Sequence, residues 1–524
     1  MAFKVAFIGA GSVSFTRTLL RDLLCVPEFG DIEVSFTDIN RKNLEMVRKL
    51  CQRDIKENGL SIKIHATTKR REALAGARYI FCTVRIGGLE AFEQDIDIPL
   101  QYGVDQCVGD TLCAGGIFYA QRGIPALLDF CKDIREVAEE GALLLNYANP
   151  MAMLTWAASV YGGVRMVGLC HGVQGGHWQI SEAIKHFINK GRSKDDPAYD
   201  DFNKREVSYV CAGINHQTWF TKVEFRGEDW IPRLLEAFES HPDFPQTEKV
   251  RIDMLRRFGY YSTESNGHLS EYLAWYRKRP AEIEKWIDTG CWINGETGGY
   301  LRVCTEGRNW FEEDFPNWLA EPAYRFDPAE RSEEHGSYIL EALETGRVYR
   351  GHFNVVNGST IPNLPADAIV EVPGYVDKIG INIPSLPPLP DGCAAVCNQS
   401  VNVQRLAVKA AVHADIRLLR QALLLDPLVG AVCNPPEVWQ LCDDLLIALE
   451  KWLPQWKQEI KLAKARRKAA DKDGTRIPVR EGYRGAVRLH VKTVEELSKA
   501  SDEEKKLAAQ TDKAKIRRKA PTDI

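Results

Sequence analysis

The sequence predicts an α/β fold: a doubly wound parallel sheet followed by a mixed α+β region. Three observations carry that expectation. Short β-rich runs alternate with helical patterns up to about residue 170. The first apolar run leads straight into a glycine turn and then a helical pattern. An acidic residue, Asp38, closes the second run.

Lys4–Ile8 is the first strand, and Ser14–Leu24 continues as a helix with Leu19, Leu20, Leu23 and Leu24 on one side. Glu33–Phe36 is the next strand and Asn40–Asn58 the next helix. Ser61–Ala66, Tyr79–Val84 and Ala142–Tyr147 supply further strands. From Val207 the pattern becomes mixed, with loops rich in Trp, Tyr and Gly. Val355–Pro373 reads as strand and loop, Ile383–Pro390 as a proline-rich connector, and Asn402–Leu425 and Pro436–Trp456 as long helices. After Trp456 the composition turns to Lys, Arg, Glu and Ala. The expected organisation is a Rossmann-like dinucleotide-binding domain over residues 1–200 and a catalytic and oligomerisation α+β domain over 201–457. A basic tail, partly helical or disordered, is expected over 458–524.

Composition narrows the function classes. A chain of 524 residues with 44% hydrophobic and 27% charged residues is that of a globular protein with a large core. A formal net charge of −4 offers no electrostatic footprint for nucleic acid. No apolar run is long enough to span a bilayer, and the apolar start enters a glycine turn rather than a cleavage site. The 14 cysteines are scattered without paired CxxC sets, which predicts reduced thiols and a cytoplasmic setting. Cys393 and Cys397 are expected to pack in the core.

The turn Gly9-Ala10-Gly11-Ser12 carries the first chemistry. Gly9 permits a tight turn, and Gly11 lets backbone approach a pyrophosphate held at the following helix N-terminus. Ser14 stands where a third glycine is usual. Asp38 is placed to accept hydrogen bonds from ribose hydroxyls and to repel a 2′-phosphate, which favours NAD over NADP.

Cys170 and His216 each follow a short apolar strand, Arg165–Leu169 and Val207–Ala212. A thiolate and an imidazole at two strand ends can hold a divalent transition metal. Their spacing alone is more often that of a core cysteine and a hydrogen-bonded histidine. Three polar clusters accompany them: Gly109-Asp110-Thr111 before a helix, Asn146–Pro150 after a strand, and Tyr260–Ser265 beside His268. Taken singly, each also reads as a cap, a turn or aromatic packing.

In order along the chain, these segments resemble the NAD- and metal-dependent glycosidases of glycoside hydrolase family 4, closest to the α-galactosidase branch. The resemblance rests on FIGAGS at Phe7–Ser12, TDIN at Thr37–Asn40, VGDTLCAGGI at Val108–Ile117 and NYANPMAM at Asn146–Met153. It continues through GLCHGVQG at Gly168–Gly175, CAGINH at Cys211–His216, GYYSTES at Gly259–Ser265 and NLPADAIVEVP at Asn363–Pro373. It covers residues 1–456 and implies a lactate/malate dehydrogenase-like fold. By that resemblance Cys170 and His216 match the metal ligands, normally for Mn2+, and Asn149 matches a substrate-contacting asparagine. Tyr260 or Tyr261 matches the base, and Asp110 an acidic position near the active site. His171 lies where the residue varies between substrate branches.

The implied reaction is hydrolysis of an unphosphorylated α-glycoside, most closely an α-galactoside. It runs by oxidation at sugar C3 by NAD, metal-assisted deprotonation at C2, elimination, water addition and re-reduction. Asp110 or His171 would donate the aglycone proton, and the resemblance implies a homodimer or homotetramer. Three departures surround the expected sugar pocket: Cys113-Ala114-Gly115-Gly116 in place of GPGG, Tyr119 where an arginine is usual, and Gly172 after His171 where the branch has serine. They leave an α-glucuronidase or α-galacturonidase with the same mechanism as an alternative. An NAD-dependent dehydrogenase and an inactive sugar- and NAD-binding protein are the others.

Overall fold

The computed structural model describes residues 3–478 and 488–510. Among the described residues, thirteen strands form a single sheet. In chain order they are β1 (Lys4–Ile8), β2 (Glu33–Thr37), β3 (Ile64–Thr67), β4 (Tyr79–Cys82), β5 (Leu143–Asn146), β6 (Arg165–Gly168) and β7 (Val207–Ile214). They continue with β8 (Gln217–Phe225), β9 (Glu228–Asp229), β10 (Tyr261–Ser262), β11 (Tyr349–Val356), β12 (Ile369–Asp377) and β13 (Gly380–Asn382).

One half of the sheet is parallel in the spatial order β3-β2-β1-β4-β5-β6, the doubly wound Rossmann order. Its strands are buried because helices cover both faces. Residues 41–57 on one side pack Leu44, Val47 and Leu50 beneath the sheet, and residues 113–137 on the other contribute Ile117, Phe118 and Ile124. The other half is antiparallel, in the order β6-β11-β12-β7-β8-β10, and joins the first where Asn354 on β11 pairs with Gly168 on β6. The two halves therefore share one continuous sheet.

The point where strand order reverses lies between β1 and β4. Gly9 sits there at φ +87°, with Thr83 and Val84 so close that a side chain would strike backbone at 3.0 Å. The helix Val13–Leu24 starts immediately beyond.

The segment after residue 457 begins as part of the fold rather than as an appendage. Helix Lys457–Asp473 buries Ile460 and Ala463, Ile460 within the main core, and Arg466 pairs with Asp443 at 2.7 Å. Arg476 reaches Asp444, which also accepts from Tyr102 Oη at 2.6 Å. A further helix spans Val494–Gln510. The basic run Lys513–Lys519 lies outside the described residues. Cys393 and Cys397 are buried in helix Asp391–His413, as expected. Among the described residues no helix is long and apolar enough to cross a membrane.

Helix Cys113–Val137 begins at a crowded point. A β-carbon on Gly116 would meet Thr111 backbone at 2.5 Å, and one on Gly115 would meet Gly109 O at 2.6 Å. These glycines let the helix press against the loop that carries Asp110. Gly116→Ala is therefore expected to cost about 1–3 kcal/mol of stability, measured by chemical denaturation, and to displace Asp110 and Thr111.

Candidate active site

Apart from the tyrosine pair, the candidate groups follow strands at the carboxyl edge of the sheet or lie on loops packed there. Gly9 follows β1, Asp38 follows β2, Asn149 follows β5 and Cys170 follows β6. That edge is where open α/β sheets bind ligands. Asp38 Oδ2 accepts from Gly11 N at 2.8 Å and Oδ1 from Asn40 N at 2.8 Å. Ser12 occupies the N-cap of helix Val13–Leu24 without a side-chain cap, and the first turn holds no acidic residue. The helix amides are thus left for an anionic group, which suits the pyrophosphate of a dinucleotide.

The second cluster forms around the tight β7–β8 hairpin. His216 sits there at φ +63°, buried, with its ring aimed at Cys170. Nε2 lies 3.3 Å from Cys170 Sγ, and Nδ1 lies 2.8 Å from Thr111 Oγ1. Thr111 donates its hydroxyl to Asp110 Oδ1 at 2.9 Å, so its oxygen is left to accept from Nδ1–H of His216. That fixes the tautomer whose Nε2 lone pair faces the cysteine. Burial holds His216 low, at about 4, and keeps the ring neutral. Burial, reinforced by Glu371 and Glu264, pushes the Cys170 thiol well above 9.

Asp110 is buried and fully engaged. Besides Thr111 it accepts from Asn149 Nδ2 at 2.9 Å and from Arg85 Nη2 at 3.4 Å. The Arg85 guanidinium lies over the rings of Phe92 at 4.1 Å and Tyr119 at 4.9 Å. An arginine thus reaches this pocket from the β4 loop, with Tyr119 beneath it. Cys113 is fully buried, and its amide donates to Asp426 Oδ2 at 2.8 Å, so it packs rather than reacts. His171 is largely open to solvent, with Nδ1 3.3 Å from Glu334 Oε1.

The expectation for the tyrosine pair needs correction. Tyr261 is completely buried, stacks on Phe238 at 4.2 Å, and donates to Gln179 Oε1 at 3.0 Å. It pairs with Phe220 of β8, which turns its ring into a core cluster. Tyr260 packs half-buried against the main core. The phenol that reaches the cluster is Tyr272, with Oη 3.3 Å from His216 Nδ1 and its ring stacked on the imidazole. Burial, with the Glu271 and Asp110 carboxylates, raises it well above 10. His268 stands edge-on to His216 at 5.2 Å between centroids. His268 and Tyr272 are four residues apart at the end of helix Asn266–Glu271, a spacing visible in the sequence as one face of a turn.

Two sets of potential metal donors share His216: Cys170 with Glu264, and Asp110 with His268. A sulfur, nitrogen and oxygen set suits a divalent transition metal. Fold and site together define a dinucleotide-fold enzyme with a thiol–imidazole centre beside a buried phenol.

Comparison with known proteins refines that class. Family models match in two stretches, "Family 4 glycosyl hydrolase" over residues 4–186 and "Family 4 glycosyl hydrolase C-terminal domain" over residues 211–429. An alpha-galactosidase of Rhizobium meliloti is 56% identical over 509 residues, spanning 97% of this chain and 99% of the relative. An alpha-galactosidase of Bacillus subtilis is 32% identical, spanning 87% of this chain and 100% of the relative. Among solved structures, a putative glucosidase of Bacillus subtilis superposes at a TM-score of 0.71 with 22% identity, covering 85% of this chain and 100% of that one. A 6-phospho-beta glucosidase of Thermotoga maritima, described with manganese, NAD+ and glucose-6-phosphate, superposes at 0.67 with 22% identity, covering 86% and 99%. The chain belongs to glycosyl hydrolase family 4.

If Thr111 fixes the His216 tautomer, Thr111→Val leaves the ring in a mixture of tautomers, and Thr111→Ser restores one. The 15N shifts of the His216 ring nitrogens read this directly. Identical ring shifts in wild type and Thr111→Val would refute it.

Proposed function

We propose that this chain hydrolyses unphosphorylated α-galactosides, with NAD at the Gly9–Ser12 turn and a divalent transition metal, Mn2+ or a similar ion, at Cys170 and His216. The observation that carries the reading is the meeting of Cys170, His216, Asp110, Asn149 and Tyr272 at the sheet edge that also holds the glycine turn. The 56% identical relative named alpha-galactosidase supports the sugar. Relatives named alpha-galacturonidase are 25–27% identical, which favours the galactoside over the uronide.

When bound, NAD supplies reversible oxidation at a sugar carbon and the metal supplies Lewis acidity at the neighbouring oxygens. The chain's own residues do the rest. Gly9, Gly11 and Ser12 admit the pyrophosphate, and Asp38 faces the ribose. Asn149, oriented by Asp110, contacts a sugar hydroxyl. Tyr272 takes the C2 proton at Oη, a step that requires nearby positive charge to offset its raised affinity for the proton. Asp110 is occupied by three neighbours, so His171, open toward solvent, is assigned to protonate the departing aglycone. We further place the enzyme in the cytoplasm as a homodimer or homotetramer; its cysteines carry no disulfide among the described residues.

A panel of nitrophenyl α- and β-glycosides, with and without NAD and Mn2+, tests the whole reading. Cleavage of the α-galactoside is expected only when both are present, with no net NADH. Turnover without NAD refutes it. Tyr272→Phe is expected to lower kcat by roughly 10²–10⁴ and to abolish C2 hydrogen exchange with deuterated solvent. Tyr261→Phe is expected to retain both.

A further inference from the structure

We propose that Glu264 is a third protein ligand of the metal, and that Gly172 is a glycine in order to admit it. The inference rests on the metal reading of Cys170 and His216 above.

Gly172 is the first residue of helix Gly172–Ile188, and its backbone is not in the left-handed region that would call for glycine. In helical backbone glycine is less favourable than alanine, so conformation gives no reason for it. Space does. A β-carbon on Gly172 would fall directly onto Glu264 Oε1, with Cδ at 3.0 Å and Cγ at 3.7 Å. The glutamate carboxylate occupies the place where any other residue would put its side chain.

The carboxylate is brought there by its own segment. Thr263 N donates to Thr218 O at 2.9 Å, which ties the residue before Glu264 to β8 just past the His216 turn. Oε2 accepts from Ser265 N at 3.3 Å and lies 3.5 Å from His268 Nδ1. A Glu264 oxygen, Cys170 Sγ and a His216 ring nitrogen lie within 4.8 Å of one another.

Geometry also separates this set from the competing one. Asp110 and His268 lie with His216 as well, but His216 Nδ1 is committed to Thr111 and Asp110 is held by Thr111, Asn149 and Arg85. Nε2 faces Cys170, the thiol that Glu264 also approaches. A thiolate and a carboxylate together balance the charge of a divalent ion. Three protein donors leave about three positions of an octahedral ion for sugar oxygens and water.

Titration of the metal-stripped protein with Mn2+, followed by the electron paramagnetic resonance of the free ion, tests the assignment. Glu264→Gln is expected to weaken Mn2+ binding at least tenfold. Gly172→Ser should weaken it comparably by displacing the carboxylate, with the melting temperature close to wild type. The double variant should bind no worse than Glu264→Gln alone, because both changes remove the same contact. Glu264→Gln binding like wild type, while Cys170→Ala abolishes binding, would overturn the third ligand and leave the metal centre standing. Unchanged binding in both Glu264→Gln and Cys170→Ala would overturn the metal reading itself.

Discussion

The site depends on one buried carboxylate that touches none of the proposed ligands. Glu271 accepts from the backbone amides of Cys107, Val108 and Gly109 at 2.7, 3.0 and 2.9 Å. It is completely buried, and burial raises its proton affinity while the amide donors oppose the shift. Three donors on one carboxylate fix the loop to the helix turn that ends in His268 and Tyr272. The loop then presents Asp110 and Thr111, and the turn presents its imidazole and phenol. Both approach His216 from opposite chain segments. Without that anchor the Thr111 and Tyr272 contacts to the imidazole would have no common frame.

The continuity of the sheet explains why two chemistries share one edge. The parallel half delivers Gly9, Asp38, Asn149 and Cys170 at its carboxyl ends. A single backbone pairing, Asn354 with Gly168, carries the sheet into the antiparallel half. There the β7–β8 hairpin returns at the same edge and places His216 3.3 Å from Cys170. A dinucleotide turn and a metal-type centre thus need no hinge or domain closure to meet.

Much of this was legible in the sequence because it is local. β1 matches its apolar run residue for residue, and the strand–turn–helix context gave Gly9 and Gly11 their meaning. The third strand begins later than its apolar pattern. There Gln52 Nε2 donates to Ile62 O at 2.8 Å, and Gln52 Oε1 accepts from Ile64 N at 3.1 Å. Cys170 and His216 are legible as strand-end residues, although their 3.3 Å approach depends on the sheet join. The expected tyrosine lies away from His216 for a physical reason: Tyr261 sits in a two-residue strand that packs it against Phe220 and Phe238, and the following helix turn brings Tyr272 round to His216. Glu264 and His268 lay in plain view beside the tyrosines, but nothing in their spacing shows that they face Cys170.

Charge at the site bears on what it binds. Asp110, Glu264, Glu271 and Glu371 are all buried or nearly so around the same few imidazoles. Glu371 is raised to about 8 by burial despite its bond from Asn215, with the Glu264 charge adding to the shift. Carboxyl groups crowded in this way gain from a cation in their midst, which favours their ionised forms. They oppose an anionic group entering beside them. The Arg85 guanidinium, which a uronate or phosphate would seek, already lies 3.4 Å from Asp110 and is stacked over Phe92. An anionic sugar would have to compete with that pairing and meet the remaining carboxylates. A neutral sugar, recognised through hydroxyl hydrogen bonds to Asn149 and its neighbours, avoids both costs. The same electrostatics that call for a divalent ion at Cys170 and His216 thus support the unphosphorylated, uncharged galactoside.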